Sequence, residues 1–308
     1  MADLLPQPAD WIAVDWGPAR ARAWALADDG TELARSKPAR TTGGPAGKAF
    51  EPALLALIGP WLSAGRMTPV IICGTESAPQ GWPDVPYRMV PCTAVGDRFT
   101  AAPVSDPRIA VTLLPGVAQA RPADAMRGEE TKVAGFLAAN PTFDGTLCLP
   151  GPHTRWVQVS AGEIVSLRTA MTGALFAALA GHTALRHAIG KSAGDDPGTF
   201  LDAVDDAMAR PESLTARLFA PRAEALLGTP DPAAASRISG LLIGADLAGA
   251  RGYWLGTRLA LIGTGSLAAL YGAALTRQGV AVEQADAGAA VLAGLKAART
   301  AMSAARPA

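Results

Sequence analysis

The chain has 308 residues, 49% of them hydrophobic and 18% charged, with 27 Lys+Arg balanced by 27 Asp+Glu. That length allows one large or two medium domains with a substantial core. The charge balance gives no electrostatic basis for nucleic acid or an anionic membrane as the main partner.

A β-rich apolar run, Trp11–Val14, delivers Asp15 at its end. Gly17 permits a tight turn, and Arg20, Arg22 and Trp24 alternate with alanines in a returning strand that closes at the turn Asp28-Asp29-Gly30. A carboxylate beside a glycine turn and an arginine suits a hydrated Mg²⁺ and a polyphosphate together. The plain alternative is a surface hairpin with ordinary charges. A Thr/Gly/Pro-rich loop containing Gly43 follows, then a helix with Phe50, Leu54, Leu57, Ile58, Trp61 and Leu62 on one face. Val70–Cys73 reads as a buried strand emptying into the loop Gly74–Trp82, at the carboxyl end of a strand where α/β proteins bind ligands.

Ile109–Leu114 is the next strand, and a helix capped by Asp124 is expected to run through Met126–Ala139. The same grammar then repeats. Thr146–Leu149 is a strand, Pro150-Gly151-Pro152-His153 a turn, Trp156–Val159 a returning strand and Glu163–Arg168 a third. Thr172 is the expected N-cap of a helix over Leu175–Leu185. Helices are expected around Phe200–Met208, Leu214–Leu227 and Ile238–Ala250. Arg258–Ile262 is a strand leading into Gly263-Thr264-Gly265-Ser266 and a helix, Val280–Gln284 the last strand, and Ala287–Ala304 the final helix. Two related α/β lobes are expected, residues 1–120 and 121–308, with the final helix able to pack back on the first. Cys73, Cys92 and Cys148 form no metal-ligand or CxxC pattern and read as buried reduced thiols. The N-terminus lacks a basic and apolar leader, and Asp246, Arg251 and Arg258 interrupt the most apolar late stretch. A cytoplasmic protein without a membrane span is expected.

Four loops carry candidate chemistry: Asp15–Arg22, Asp124–Thr131, Pro150–Trp156 and Gly263–Ser266. The last is a Gly-rich strand-to-helix turn, suited to close backbone approach and anion binding at a helix N-terminus. Its spacing matches neither G-x-G-x-x-G nor Walker A. Arg127, Glu129 and Glu130 are also consistent with a solvated helix face. Taken together, the loops fit a two-lobed phosphotransferase, one lobe holding a sugar and the other a nucleotide.

The motifs DWGPARARAW (15–24), GWPDVPYRMVPC (81–92), MRGEETK (126–132), PGPHTRWV (150–157), LRTAMTGAL (167–175), SGLLIGAD (239–246) and GTGSLAALY (263–271) resemble, in this order, those of the 2-dehydro-3-deoxygalactonokinases. That family belongs to the sugar kinase/Hsp70/actin group. The resemblance implies an α/β fold of the two-lobed actin-like ATPase (ribonuclease H-like) kind, with mixed sheets flanked by helices and an interlobe cleft. It implies transfer of the ATP γ-phosphoryl group to the 6-hydroxyl of 2-dehydro-3-deoxy-D-galactonate, with Mg²⁺. Asp15 would lie at the metal, with Gly17 and Arg22 in the first phosphate hairpin and Gly151, His153 and Thr154 in the second. Gly263, Thr264, Gly265 and Ser266 would border the adenosine. Gly43, Glu76, Ser77 and Trp82 would line the sugar side, and Arg127 would meet the substrate carboxylate or developing phosphoryl charge. Asp124 is the candidate base and Glu129 the second choice. Pro18, Pro152, Thr75–Ala78 and Ala174 depart from the family pattern. They keep open a different sugar substrate, or a ligand-binding regulator with little kinase activity.

Overall fold

The computed structural model describes residues 8–18, 20–40, 50–74, 82–83, 85–190 and 195–304. Gly43, Glu76 and Ser77 lie outside them. The chain forms two compact units, residues 1–143 with 161–165 and 287–308, and residues 144–160 with 166–286.

The first unit runs through β1 (Trp11–Trp16), β2 (Arg20–Leu26), β3 (Glu32–Arg35), β4 (Ala39–Arg40), α1 (Phe50–Ile58) and β5 (Thr68–Cys73). It continues with β6 (Arg88–Met89), β7 (Cys92–Thr93), β8 (Thr100–Ala102), β9 (Ile109–Leu113), β10 (Val117–Gln119), β11 (Asp124–Met126) and α2 (Glu129–Ala139). The second opens with β12 (Gly145–Leu149), β13 (Thr154–Ser160) and β14 (Glu163–Ala170), whose first residues group with the first unit. Then come α3 (Thr172–His182), α4 (Arg186–Ile189), α5 (Pro197–Ala209), α6 (Leu214–Leu226), α7 (Ala234–Gly249) and α8 (Arg251–Trp254). β15 (Leu259–Ile262), α9 (Gly265–Arg277) and β16 (Val282–Ala285) complete it, and α10 (Ala287–Ala304) returns to the first unit.

The two units share one strand plan. In the first, β3-β2-β1-β5-β9-β8 form a sheet in which β1 is antiparallel to β2 and parallel to β5, and β5 is parallel to β9. In the second the order is β16-β15-β12-β13-β14, with β12 antiparallel to β13 and parallel to β15, itself parallel to β16. Thus β12 stands where β1 does, β13 where β2 does, and β15 where β5 does. These are mixed sheets with helices on their faces, the α/β class expected.

Strand alternation sorts the first unit's core. Ile12, Val14 and Trp16 point to the side covered by α1 with Phe50, Leu54 and Ile58, while Trp11 and Ala13 join Val291 and Leu295 of α10 on the other. Trp82 is buried in the first cluster, stacked on Phe50 at 5.1 Å between ring centroids. Its surroundings are those of a core indole rather than of a ligand platform.

Two expected helix starts move. Asp124 opens strand β11, paired opposite Gln119, and its carboxylate accepts the Ala125 amide at 2.7 Å. The helix begins only after Gly128, whose φ of 102° interrupts right-handed geometry. Thr172 lies inside the first turn of α3 and does not cap it, because its hydroxyl is drawn to a buried carboxylate described below.

Helix α10 crosses α2 with the backbones in direct contact. A Cβ on Gly135 would overlap the Ala290 carbonyl, and one on Gly294 would overlap the Thr131 carbonyl. A carbonyl in a helix cannot rotate aside, so these positions tolerate no side chain. Gly135→Val is expected to lower stability by about 3 kcal/mol or more through overpacking. Gly181→Ala, where a Cβ meets nothing within 4 Å, is expected to be neutral or stabilising by up to about 1 kcal/mol. Urea unfolding of both variants checks the contrast.

Candidate functional site

In the first unit the site residues gather at the carboxyl ends of β1 and β5. Asp15 and Arg22 are directly opposed in the β1/β2 register, and the Arg22 Nη2 donates to Asp15 Oδ2 at 2.9 Å. The pair is half-buried, with side chains 17% and 35% exposed, and the Arg22 guanidinium lies 5.4 Å from the Trp24 ring centroid. The Gly17 amide closes the turn onto the Arg20 carbonyl at 3.0 Å. One strand over, Cys73 is paired with Asp15, and its thiol points at Asp15 Oδ1 from 3.9 Å. Burial pushes that thiol well up, reinforced by the negative charges of Asp15 and Glu130. Cys73 is therefore a neutral packing group.

The start of α2 abuts this turn. A Cβ on Gly128 would sit 2.9 Å from Gly74 Cα, and one on Gly74 would sit 2.8 Å from the Trp16 carbonyl oxygen. Three backbone segments, 15–17, 73–74 and 127–129, are thus stacked without room for a side chain. Arg127 is anchored by the Val85 carbonyl at 2.8 Å and lies 4.3 Å from the Tyr87 ring centroid. A Glu129 carboxylate oxygen accepts the Arg127 amide at 3.2 Å.

Glu130 belongs to no solvated helix face. It is 2% exposed, both its oxygens accept the Gly128 amide (2.9 and 2.7 Å), and the Thr131 hydroxyl donates to Oε1 at 3.1 Å. Burial raises its carboxyl to about 7, with the neighbouring Glu129 charge adding to the rise. The sequence carries two adjacent glutamates at a helix start, and periodicity alone does not say which one turns inward.

In the second unit the equivalent positions are the β12/β13 turn and the loop after β15. A Cβ on Gly263 would lie 3.5 Å from the Pro150 ring, so the two loops are neighbours. The Ala174 amide in the first turn of α3 donates to the Pro152 carbonyl at 2.9 Å, and a Cβ on Gly173 would come within 2.6 Å of the Gly151 carbonyl. Gly151 is partly exposed and His153 exposed, whereas Thr154 is fully buried and faces Tyr271. Thr264, Gly265 and Ser266 are exposed at the N-terminus of the 13-residue α9, whose first amides have no intrahelical acceptor. Such an end attracts anionic or polar ligand groups.

Behind these loops lies a carboxylate that periodicity assigns only to an interruption of an apolar stretch. Asp246 of α7 is 8% exposed. Its Oδ1 accepts Trp156 Nε1 at 3.1 Å, and its Oδ2 accepts the hydroxyls of Thr172, at 3.0 Å, and Tyr271. Burial raises its carboxyl, opposed by those hydrogen bonds and by the Arg168 charge. The signal available in the sequence is a lone carboxylate within SGLLIGAD, since an unpaired acid is rarely fully buried.

Among the described residues no three His, Cys, Asp or Glu side chains cluster to hold a metal. Asp15 nevertheless suits Mg²⁺, which keeps several waters and takes one or two carboxylates together with substrate phosphates. No helix among the described residues is long and apolar enough to cross a membrane.

Two units of one strand plan, each with a β-hairpin at the carboxyl end of its central strands, are built by a chain that matches a family of kinases over most of its length. The chain belongs to the 2-keto-3-deoxy-galactonokinase family, whose model matches residues 15–298. It is 38% identical over 303 residues to the probable 2-dehydro-3-deoxygalactonokinase of Rhizobium meliloti (strain 1021), covering 95% of this chain and 97% of that protein. Identity to the 2-dehydro-3-deoxygalactonokinase of Escherichia coli (strain K12) is 31% over 250 residues, covering 80% and 82%. A crystal structure of a Sinorhizobium meliloti protein provisionally given the same name superposes with a TM-score of 0.84 at 37% identity, covering 95% of this chain and 96% of that one.

Two outcomes follow from the buried carboxylates. Asp246→Ala leaves three donors without an acceptor and is expected to lower stability by about 3 kcal/mol, against about 1 kcal/mol for Tyr271→Phe, in urea unfolding. For Glu130 the folded-state value lies above the unfolded one, 4.5. Its contribution is full below about pH 4.5 and is lost as pH rises through about 7. Relative to Glu130→Gln, wild type should therefore lose stability across that window, as read from Tm against pH.

Proposed function

We propose that this chain transfers the γ-phosphoryl group of ATP to the 6-hydroxyl of 2-dehydro-3-deoxy-D-galactonate, with Mg²⁺, in the cytoplasm where ATP is available. The observation that carries the reading is the Asp15–Arg22 pair at the end of β1, beside a glycine turn, in a chain of this family. Phosphoryl transfer asks for in-line positioning and charge neutralisation more than for covalent chemistry. Mg²⁺ held by Asp15 would neutralise phosphate charge. Arg22 orients the Asp15 carboxylate and adds a second cation beside it. Gly17, whose amide donates to the Arg20 carbonyl, holds the tight turn beside this pair in the phosphate hairpin. In the second unit Gly151 and His153 form the other phosphate turn, with Thr154 supporting it from the core, and Gly263, Thr264, Gly265 and Ser266 border the adenosine.

On the sugar side, Arg127 is fixed by the Val85 carbonyl and the Tyr87 ring, which suits it to bind the substrate carboxylate. The loop residues Gly43, Glu76 and Ser77 complete this side of the proposal. Both candidate bases accept a backbone amide, Asp124 from Ala125 on β11 and Glu129 from Arg127, but Glu129 directly follows Gly128 in the backbone stack that carries Asp15. Glu129 is accordingly the base we assign to the sugar hydroxyl proton.

An ADP-release assay with Mg-ATP over a panel of 2-keto-3-deoxy acids and neutral sugars tests the substrate. Turnover of 2-dehydro-3-deoxy-D-galactonate to a 6-phosphate, identified by NMR, is the expected result. Turnover of another acid alone would move the substrate, and binding without ADP release would make the chain a ligand-binding regulator. Glu129→Gln should lower kcat by about 100-fold or more with Mg-ATP binding little changed. The companion Asp124→Asn decides between the carboxylates, because the larger loss marks the base.

A further inference from the structure

We propose that Glu130 is a positioning residue for phosphoryl transfer, holding the Gly128 amide and through it the backbone stack that carries Asp15 and Glu129. The inference rests on the kinase reading above but on different atoms. Both Glu130 oxygens converge on one amide, and the Thr131 hydroxyl orients the carboxylate. That amide belongs to a residue at φ 102° whose Cα side faces Gly74, and Gly74 in turn faces the Trp16 carbonyl. Trp16 follows Asp15, and Gly128 precedes Glu129. A rotation of the 127–128 peptide is therefore passed to both carboxylates, with no side chain between the backbones to absorb it. Glu130 itself is 2% exposed, and we assign its effect to this stack.

A merely structural residue and a positioning residue differ in what their loss does. Replacing the Glu130 carboxyl by an apolar group leaves the Gly128 amide and the Thr131 hydroxyl without this acceptor, a loss only partly offset by the carboxyl's own desolvation cost. Glu130→Leu in the full chain should hence melt below wild type yet remain folded at the assay temperature, while kcat falls by about 100-fold, the scale of a misplacement near 1 Å. KM for ATP and for the sugar acid should stay within about threefold of wild type, because the binding groups remain. Glu130→Gln keeps one acceptor for the Gly128 amide and should restore kcat to within about tenfold of wild type.

Amide hydrogen exchange supplies a readout independent of turnover. In Glu130→Leu, peptides covering 124–132 and 70–74 should exchange at least about tenfold faster, with 259–266 unchanged. A Glu130→Leu enzyme with wild-type kcat, or a loss of kcat that follows its unfolded fraction, overturns the proposal. Should Glu130→Leu fail to fold, Thr131→Val decides: a lower kcat at unchanged KM supports the clamp and an unchanged kcat rejects it. Absence of turnover by wild type would refute the kinase reading instead. The exchange data would then judge the clamp by themselves, and unaltered exchange would reject it.

Discussion

Removing a carboxylate from water is unfavourable unless hydrogen-bond donors replace the lost hydration, and Asp246 lies where three other segments of its unit supply them. Trp156 comes from β13, Thr172 from the first turn of α3, and Tyr271 from α9. Each donor sits a few residues from a loop with candidate chemistry: Trp156 follows the 150–153 turn, Thr172 precedes the glycine packed on that turn, and Tyr271 follows Gly263–Ser266. The carboxylate thus specifies from behind how these loops lie. Displacing any one element leaves a buried donor or acceptor unpaired, and that penalty selects a single arrangement.

In the first unit the corresponding order comes from backbone contact as well as from charge. Trp16, Gly74 and Gly128 touch main chain to main chain, and Glu130 holds the last of them. Helix α2 is seated in turn by α10 across Gly135 and Gly294. The shared strand plan puts the two hairpins at matching positions, β1/β2 in the first unit and β12/β13 in the second. Tight turns lie there in both units, and in the second a helix N-terminus follows Gly263, the kind of place where α/β folds present free amides to ligands.

Much of this was legible in residue order. The run Trp11–Val14, the turn at Gly17, the strand at Val70–Cys73 and the final helix all stand where periodicity and turn chemistry place them. The Asp15–Arg22 pair was legible too, since a tight hairpin brings residues seven apart into register. Less legible was the stretch 124–130. Asp124 has the composition of a helix cap, but β10 offers a strand partner, and the helix waits for Gly128. Trp82, expected on the sugar side, is buried in an aromatic cluster with Phe50 and Trp16.

By itself the sequence determined the alternation of strands and helices, the repeated hairpin grammar and the family, because these depend on local periodicity, glycine placement and motif order. Tertiary structure alone decided which carboxylates became structural. Glu129 and Glu130 are chemically identical neighbours, and only the packed fold turns one inward, where burial and the Glu129 charge raise its carboxyl to about 7 against the opposing hydrogen bond from the Gly128 amide. Asp246 reads as a break in an apolar helix until three donors from distant segments surround it. Burial and hydrogen bonding are properties of the assembled fold, and no local pattern encodes them.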